Sequence, residues 1–216
     1  MPDLAERYAR VKATLPAGVK LVAVSKTRSV DEIRALYDLG QRAFGENYPQ
    51  ELREKAPQLP SDIEWHFIGH LQRSNVKHVL PLAHLVHGVD SESLLDEIDK
   101  RAVARPAEVL LQVHIAQEET KHGFLVPEIQ TLWSGAALDQ RWPRIRFRGL
   151  MGMATNTTDT QTIVGEFRRL KGLFDEMQGP IGFDTLSMGM SGDAPLAIAE
   201  GSTLIRIGSA IFGARS

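Results

Sequence analysis

The sequence predicts an α/β fold, a single (β/α)8 TIM barrel, and three observations carry that reading. Short apolar runs alternate with helix-like segments from one end of the chain to the other, about eight of each, which is the pattern of a closed parallel sheet. The 216 residues sit at the short end for such a barrel, so insertions must be few. An open doubly wound sheet is the rival, but no G-x-G-x-x-G follows the first strand; Val24-Ser25-Lys26-Thr27-Arg28 stands there instead.

The elements follow in order. A charged, amphipathic start reads as a helix over 3–14. Leu21-Val22-Ala23-Val24 reads as a buried strand within 20–25, and Ser29-Val30-Asp31-Glu32 as the capped start of a helix over 29–39. A strand at 42–45 runs into Gly45-Glu46-Asn47, a turn with Asn as helix cap, and then a helix at 48–56. Pro57–Asp62 is a loop before a strand at 64–68. Helices at 71–80, 91–103 and 126–134 separate strands at 84–88, 108–114 and 145–151, with Gln140–Pro143 as a further loop. Helices at 160–177 and 193–200 then alternate with strands at 184–187 and 203–207. No repeat, low-complexity tract or linker divides the chain, so one domain over 1–216 is expected.

Composition narrows the function classes. Apolar residues make up 43% and charged residues 24%, enough for an ordinary core. A net charge of −2 without a basic stripe argues against nucleic acid, and no apolar run reaches membrane-spanning length. The N-terminus lacks a signal core, so a cytoplasmic protein is expected, and a monomer. Cysteine is absent, which removes disulfide, thiolate and cysteine-metal chemistry.

Lys26 closes the first strand, at the barrel mouth where ligands gather, and a partly desolvated amine there can attack an aldehyde. Near the C-terminus, Ser187-Met188-Gly189-Met190-Ser191-Gly192-Asp193 and Arg206-Ile207-Gly208-Ser209 follow the last two strands, where barrels commonly hold phosphate. Glycines let backbone approach a ligand, and serine hydroxyls add donors. Arg206 interrupts an apolar strand, so it must find acceptors, either in a structural salt bridge or on a ligand heteroatom. The histidines do not fall at metal-binding spacing: His66 and His70 straddle a strand end, His84 and His87 are expected on opposite faces, and His114 and His122 stand isolated. No metal site is expected, and G-x-S-x-G is missing.

Six segments in order carry a resemblance: Ala23-Val24-Ser25-Lys26-Thr27, Phe44-Gly45-Glu46-Asn47-Tyr48, Trp65-His66-Phe67-Ile68-Gly69-His70-Leu71-Gln72, Arg148-Gly149-Leu150-Met151, Leu186-Ser187-Met188-Gly189-Met190-Ser191 and Ile205-Arg206-Ile207-Gly208-Ser209-Ala210-Ile211-Phe212-Gly213. Together they resemble the pyridoxal phosphate homeostasis protein family, whose fold is similar to the barrel domain of alanine racemase. The resemblance implies a Schiff base between Lys26 and pyridoxal 5′-phosphate, with Ser191, Gly208 and Ser209 on the phosphate, Arg206 facing the pyridine nitrogen and Asn47 near the ring. One step departs from the family: Arg73-Ser74-Asn75-Val76-Lys77 stands where Asn-Lys usually follows the glutamine.

An arginine at the pyridine nitrogen would leave the ring a weak electron sink, and no second domain follows to add an acid or base. The expected function is therefore a protein that holds, buffers or delivers pyridoxal phosphate in vitamin B6 homeostasis, with apo-enzymes dependent on that cofactor as recipients. The alternatives are a pyridoxal phosphate-dependent amino-acid racemase with His66 or Tyr48 as second base, and a Schiff-base aldolase without that cofactor.

Overall fold

In the computed structural model, which describes residues 3–118, 120–135, 138–178 and 182–214, eight parallel strands close in chain order into a barrel. They are β1 (Lys20–Val24), β2 (Ala43–Glu46), β3 (Glu64–Phe67), β4 (Leu85–Val89), β5 (Ala107–Val113), β6 (Ile145–Gly152), β7 (Thr185–Ser187) and β8 (Leu204–Ile207). Closure is made by β1 against β8, with Lys20 opposite Leu204 and Ala23 opposite Ile207. The helices are α1 (Leu4–Ala13), α2 (Val30–Asp38), α3 (Pro49–Lys55), α4 (Val76–Val79), α5 (Glu92–Arg101), α6 (Val126–Gly135), α7 (Leu138–Arg141), α8 (Thr160–Met177), α9 (Ala194–Ala199) and α10 (Ser209–Phe212). No helix among the described residues is long and apolar enough to cross a membrane.

Alternation along the strands divides the core in two. Inward side chains Val22, Ala43, Leu85, Leu110, Met151 and Leu204 fill the barrel's lumen. Outward side chains such as Phe44, Phe67, Leu111, Leu150 and Ile205 pack beneath the helix faces that present Ile33, Leu36, Leu95, Phe167 and Leu170. Some helices are anchored by local chemistry as well as by this burial. Ser29 and Glu32 complete a reciprocal capping box on α2, with contacts of 3.1 and 2.8 Å. Asp159 caps α8 by accepting from the amides of Gln161 and Thr162.

The strands fall within two residues of their expected positions. Three connections differ. The helix expected over 71–80 is a 3-10 turn at Arg73–Asn75 followed by α4, because Leu71 dives into the core and Gln72 stays extended. The stretch expected as a loop at Gln140–Pro143 begins inside α7, held by the buried Trp142, whose amide closes on the Leu138 carbonyl at 2.8 Å. The loop expected at Pro57–Asp62 begins with a 3-10 turn at Ala56–Gln58. A short terminal helix, α10, follows β8.

Candidate functional site

All strands being parallel, their C-terminal ends share one mouth, and the loops after β1, β7 and β8 line a cavity there of about 280 Å³. Its wall comprises Val24, Lys26, Arg28, Met190, Ser191, Gly192, Arg206, Gly208 and Ser209. Five of the six predicted site residues thus meet across the barrel closure, though Lys26 and the other four come from opposite ends of the sequence. The sixth, Asn47, is not among the lining residues. It follows β2, half-buried, with its carbonyl so close to Gly69 that a Cβ there would lie 2.2 Å from it. Tyr48 beside it is 51% exposed.

The turn carrying Ser191 depends on Gly189, at φ +97, where an added Cβ would meet that of Ala197 at 2.6 Å. Asp193 closes the turn by accepting from the Met190 amide at 2.6 Å. Arg28 is tied to the carbonyl of Gly213 at 2.6 Å and lies over the Phe212 ring, so the chain end just after the Gly208-Ser209 loop is tied to the residue two after Lys26.

Arg206 is buried and, among the described residues, forms no salt bridge of the kind the sequence allows. It donates to the backbone carbonyl and hydroxyl of Ser187 and, at 3.2 Å, to the carbonyl of Gly152. Burial brings its pKa down to about 10, so it remains a cation at neutral pH. A guanidinium only donates, and Ser187 has no other acceptor among the described residues, so the hydroxyl gives its proton to His87 Nδ1, 3.1 Å away. His87 then carries its proton on Nε2 and donates it to His66 Nδ1 at 2.8 Å. His66 in turn is protonated at Nε2, a buried atom with no hydrogen-bond partner among the described residues. Burial, with nearby cations adding to it, holds both imidazoles well below the ordinary histidine range, hence neutral.

This chain through the lumen corrects two expectations. His66 is fully enclosed and bonded to His87 instead of standing at the mouth, so it is not placed to act as a second base on a ligand in the cavity. His84 and His87 do not diverge: both rings approach His66, at 5.8 and 5.1 Å, because His84 precedes β4 and is free of its alternation. His122 is not isolated either. Its ring stacks on that of His70 at 4.0 Å and 18°, and His70 Nδ1 pairs with Asp90 at 3.1 Å. Imidazole nitrogens bind a metal in the ring plane, and two near-parallel rings 4.0 Å apart cannot share an ion that way; the cluster reads as two stacked rings with an aspartate at the Nδ1 of one.

A second group went unread in the sequence. Glu46, taken only as part of a turn, is fully buried and bonded to Ser25 and Lys55. A glutamate closing an apolar strand is the signal that could have exposed it, since such a charge needs a partner. The partner, nine residues on, is invisible to strand or helix periodicity.

Comparison with known proteins places the geometry. The family model described as alanine racemase, N-terminal domain, matches residues 1–216. A pyridoxal phosphate homeostasis protein from Vibrio alginolyticus is 40% identical over 208 residues, covering 93% of this chain and 88% of that protein. The structure of PipY from Synechococcus elongatus PCC7942 without PLP superposes with a TM-score of 0.92 at 33% identity, covering 98% of this chain and all of that one. The same protein with PLP bound gives 0.87 at 32% identity, again covering 98% of this chain and 100% of that one.

Proposed function

Because the chain belongs to the pyridoxal phosphate homeostasis protein family, with the barrel of alanine racemase N-terminal domains, we propose that it binds pyridoxal 5′-phosphate at the barrel mouth and serves as a reversible reservoir for it. The observation that carries this reading is one cavity in which a lysine at the end of β1 faces serines and a glycine from the loops after β7 and β8. Its volume of about 280 Å³ suits a small phosphorylated ring, at the low end for ligand pockets. The donor set fits the group's chemistry: an amine for the aldehyde, and hydroxyls, glycine backbone and Arg28 for an anion. The cradle is tight, since a Cβ at Gly208 would stand 3.3 Å from Val24.

Pyridoxal phosphate, when bound, would supply an aldehyde open to reversible condensation with an amine, water leaving on bond formation and returning on release. The chain's own part is to present the Lys26 amine, to hold the phosphate with Ser191, Gly208 and Ser209, and to set the Arg206 cation against the ring nitrogen. Arg206, donating into Ser187 and Gly152, is fixed before any ligand arrives, which favours binding over catalysis by keeping its proton. Asn47, at the end of β2 and outside the lining of this cavity, would lie near the ring, and apo-enzymes in the cytoplasm receive the released cofactor. The whole chain acts as one cofactor-binding barrel.

The test is reduction of the cofactor-loaded protein with borohydride followed by peptide mapping. The label is expected on Lys26, with Lys26→Ala giving folded protein that lacks the visible absorbance band. Labelling of a different lysine, or of none, would refute the assignment.

A further inference from the structure

We propose that Glu46, Lys55 and Glu51 form a clamp that fixes the backbone on both sides of Lys26 and so aims its side chain into the cavity; the clamp's purpose rests on Lys26 as the attachment point. The clamp joins the last residue of β2 to α3, and none of its three residues belongs to the cavity wall. Lys55 spends its three N–H donors on three oxygens: the carbonyl of Ser25 at 2.9 Å, Glu46 at 3.0 Å and Glu51 at 2.5 Å. Glu46 also accepts the Ser25 hydroxyl at 2.6 Å. Glu51, one turn before Lys55 on α3, accepts the Thr27 amide at 2.7 Å with the same oxygen that meets the ammonium. The residues on either side of Lys26 are therefore held, Ser25 at its carbonyl and hydroxyl and Thr27 at its amide.

Two features show that stability is not what this arrangement serves. Glu46 is fully buried, and its second oxygen has no partner among the described residues. Desolvation pushes its pKa up to about 7 even beside Ser25 and Lys55. Buried charge clusters of this kind are commonly replaced by apolar side chains with no loss of stability. Thr27 is the non-glycine residue with positive φ, +62°, among the described residues, a β-branched residue in a region it disfavours. Strain of that sort persists where the surroundings over-determine it, and it gathers at functional positions. Here the surroundings are Glu51 and Lys55. With Lys55's donors all engaged, the clamp also leaves the two lysines with different tasks: one is an anchor and the other faces the cavity.

The experiment compares wild type, Glu51→Ala, Glu51→Gln and the apolar double variant Glu46→Leu/Lys55→Met. Amide exchange at Thr27 is read without cofactor, and labelling of Lys26 by pyridoxal phosphate with cyanoborohydride is read by mass. We expect exchange at Thr27 to quicken by tenfold or more in Glu51→Ala and in the double variant, and Lys26 labelling to slow by a similar factor. Melting of the double variant should stay level or rise. Glu51→Gln, which keeps an acceptor oxygen for Thr27, should recover most of both signals. Wild-type exchange and labelling in a folded double variant would overturn the clamp and leave a structural ion cluster. Should the double variant not fold, Glu51→Ala decides the question, since it leaves the buried Glu46–Lys55 pair in place. Wild type that takes no label on Lys26 would sink the proposed function, and the exchange at Thr27 would still decide the clamp.

Discussion

Arg206 sits in the cavity wall answering to two carbonyls and a hydroxyl, with no carboxylate bonded to it. A guanidinium donates hydrogen bonds but keeps its proton, so a ring nitrogen set against it stays unprotonated and carbanion chemistry stays weak. Two measurements on Arg206→Glu test that. Exchange of the alanine α-proton in deuterated buffer should be slow in loaded wild type and at least tenfold faster in the loaded variant; fast exchange in the wild type would favour an enzyme. The variant also sets a carboxylate against the oxygens of Ser187 and Gly152, so its urea midpoint should fall by the equivalent of about 1–3 kcal/mol for each polar group left unsatisfied. Lys26 and Arg206 stand out in the sequence because one ends an apolar run and the other interrupts one, and the loops bearing Ser191, Gly208 and Ser209 stand out by their glycines and serines, while the roles of those three residues are what the family resemblance implies. Lys55 could not, because what marks it is its contact with Glu46 across β2 and α3; Glu46 itself left one signal, a charge closing an apolar strand.

At the scale of elements, the proposed function gives the phosphate to the loops after β7 and β8. Each offers a hydroxyl, Ser191 from one and Ser209 from the other, and charge-assisted bonds of this type contribute roughly 1.5–3 kcal/mol each. Ser191→Ala and Ser209→Ala should each weaken pyridoxal phosphate about tenfold or more in spectral titrations, and pyridoxal without its phosphate should bind far more weakly to wild type. Equal affinities for the two ligands would refute the loop assignment. The strands themselves were readable because a parallel sheet covered on both faces leaves near-continuous apolar runs. The short elements were harder. The turn at Arg73–Asn75 and α7 exist because Leu71 and Trp142 are buried, and neither burial is encoded in a helical period.

At the scale of the molecule, the buried histidines and Glu46 give stability opposite dependences on pH. His66 and His87 have folded values below the ordinary 6.5, so unfolding takes up protons in acid; the stability they bring is present above pH 6.5 and is lost as pH falls from there. Glu46, raised from 4.5 to about 7, brings stability that is present below its unfolded value and is lost as pH rises through about 7. Urea midpoints should therefore drop on going from pH 6.5 to 5.5. His66→Leu should flatten that drop by up to ~1.4 kcal/mol per pH unit, the weight of one proton. Nitrogen chemical shifts should find both imidazoles neutral with the proton on Nε2 at pH 6; a charged His87 would break the chain inferred from Arg206.

The sequence by itself determined the eight-fold alternation, the barrel, and the lysine and glycine-serine loops that a barrel brings to one mouth, because each is written in local periodicity or in a residue that breaks it. Only the tertiary structure decided which polar residues meet in the interior. The chain from Arg206 through Ser187 and His87 to His66 joins β8, β7, β4 and β3 across the lumen, and the Glu46–Lys55–Glu51 cluster joins a strand end to a helix. Such contacts depend on how strands close around an axis and on which buried donor finds which acceptor. No spacing along the chain records that.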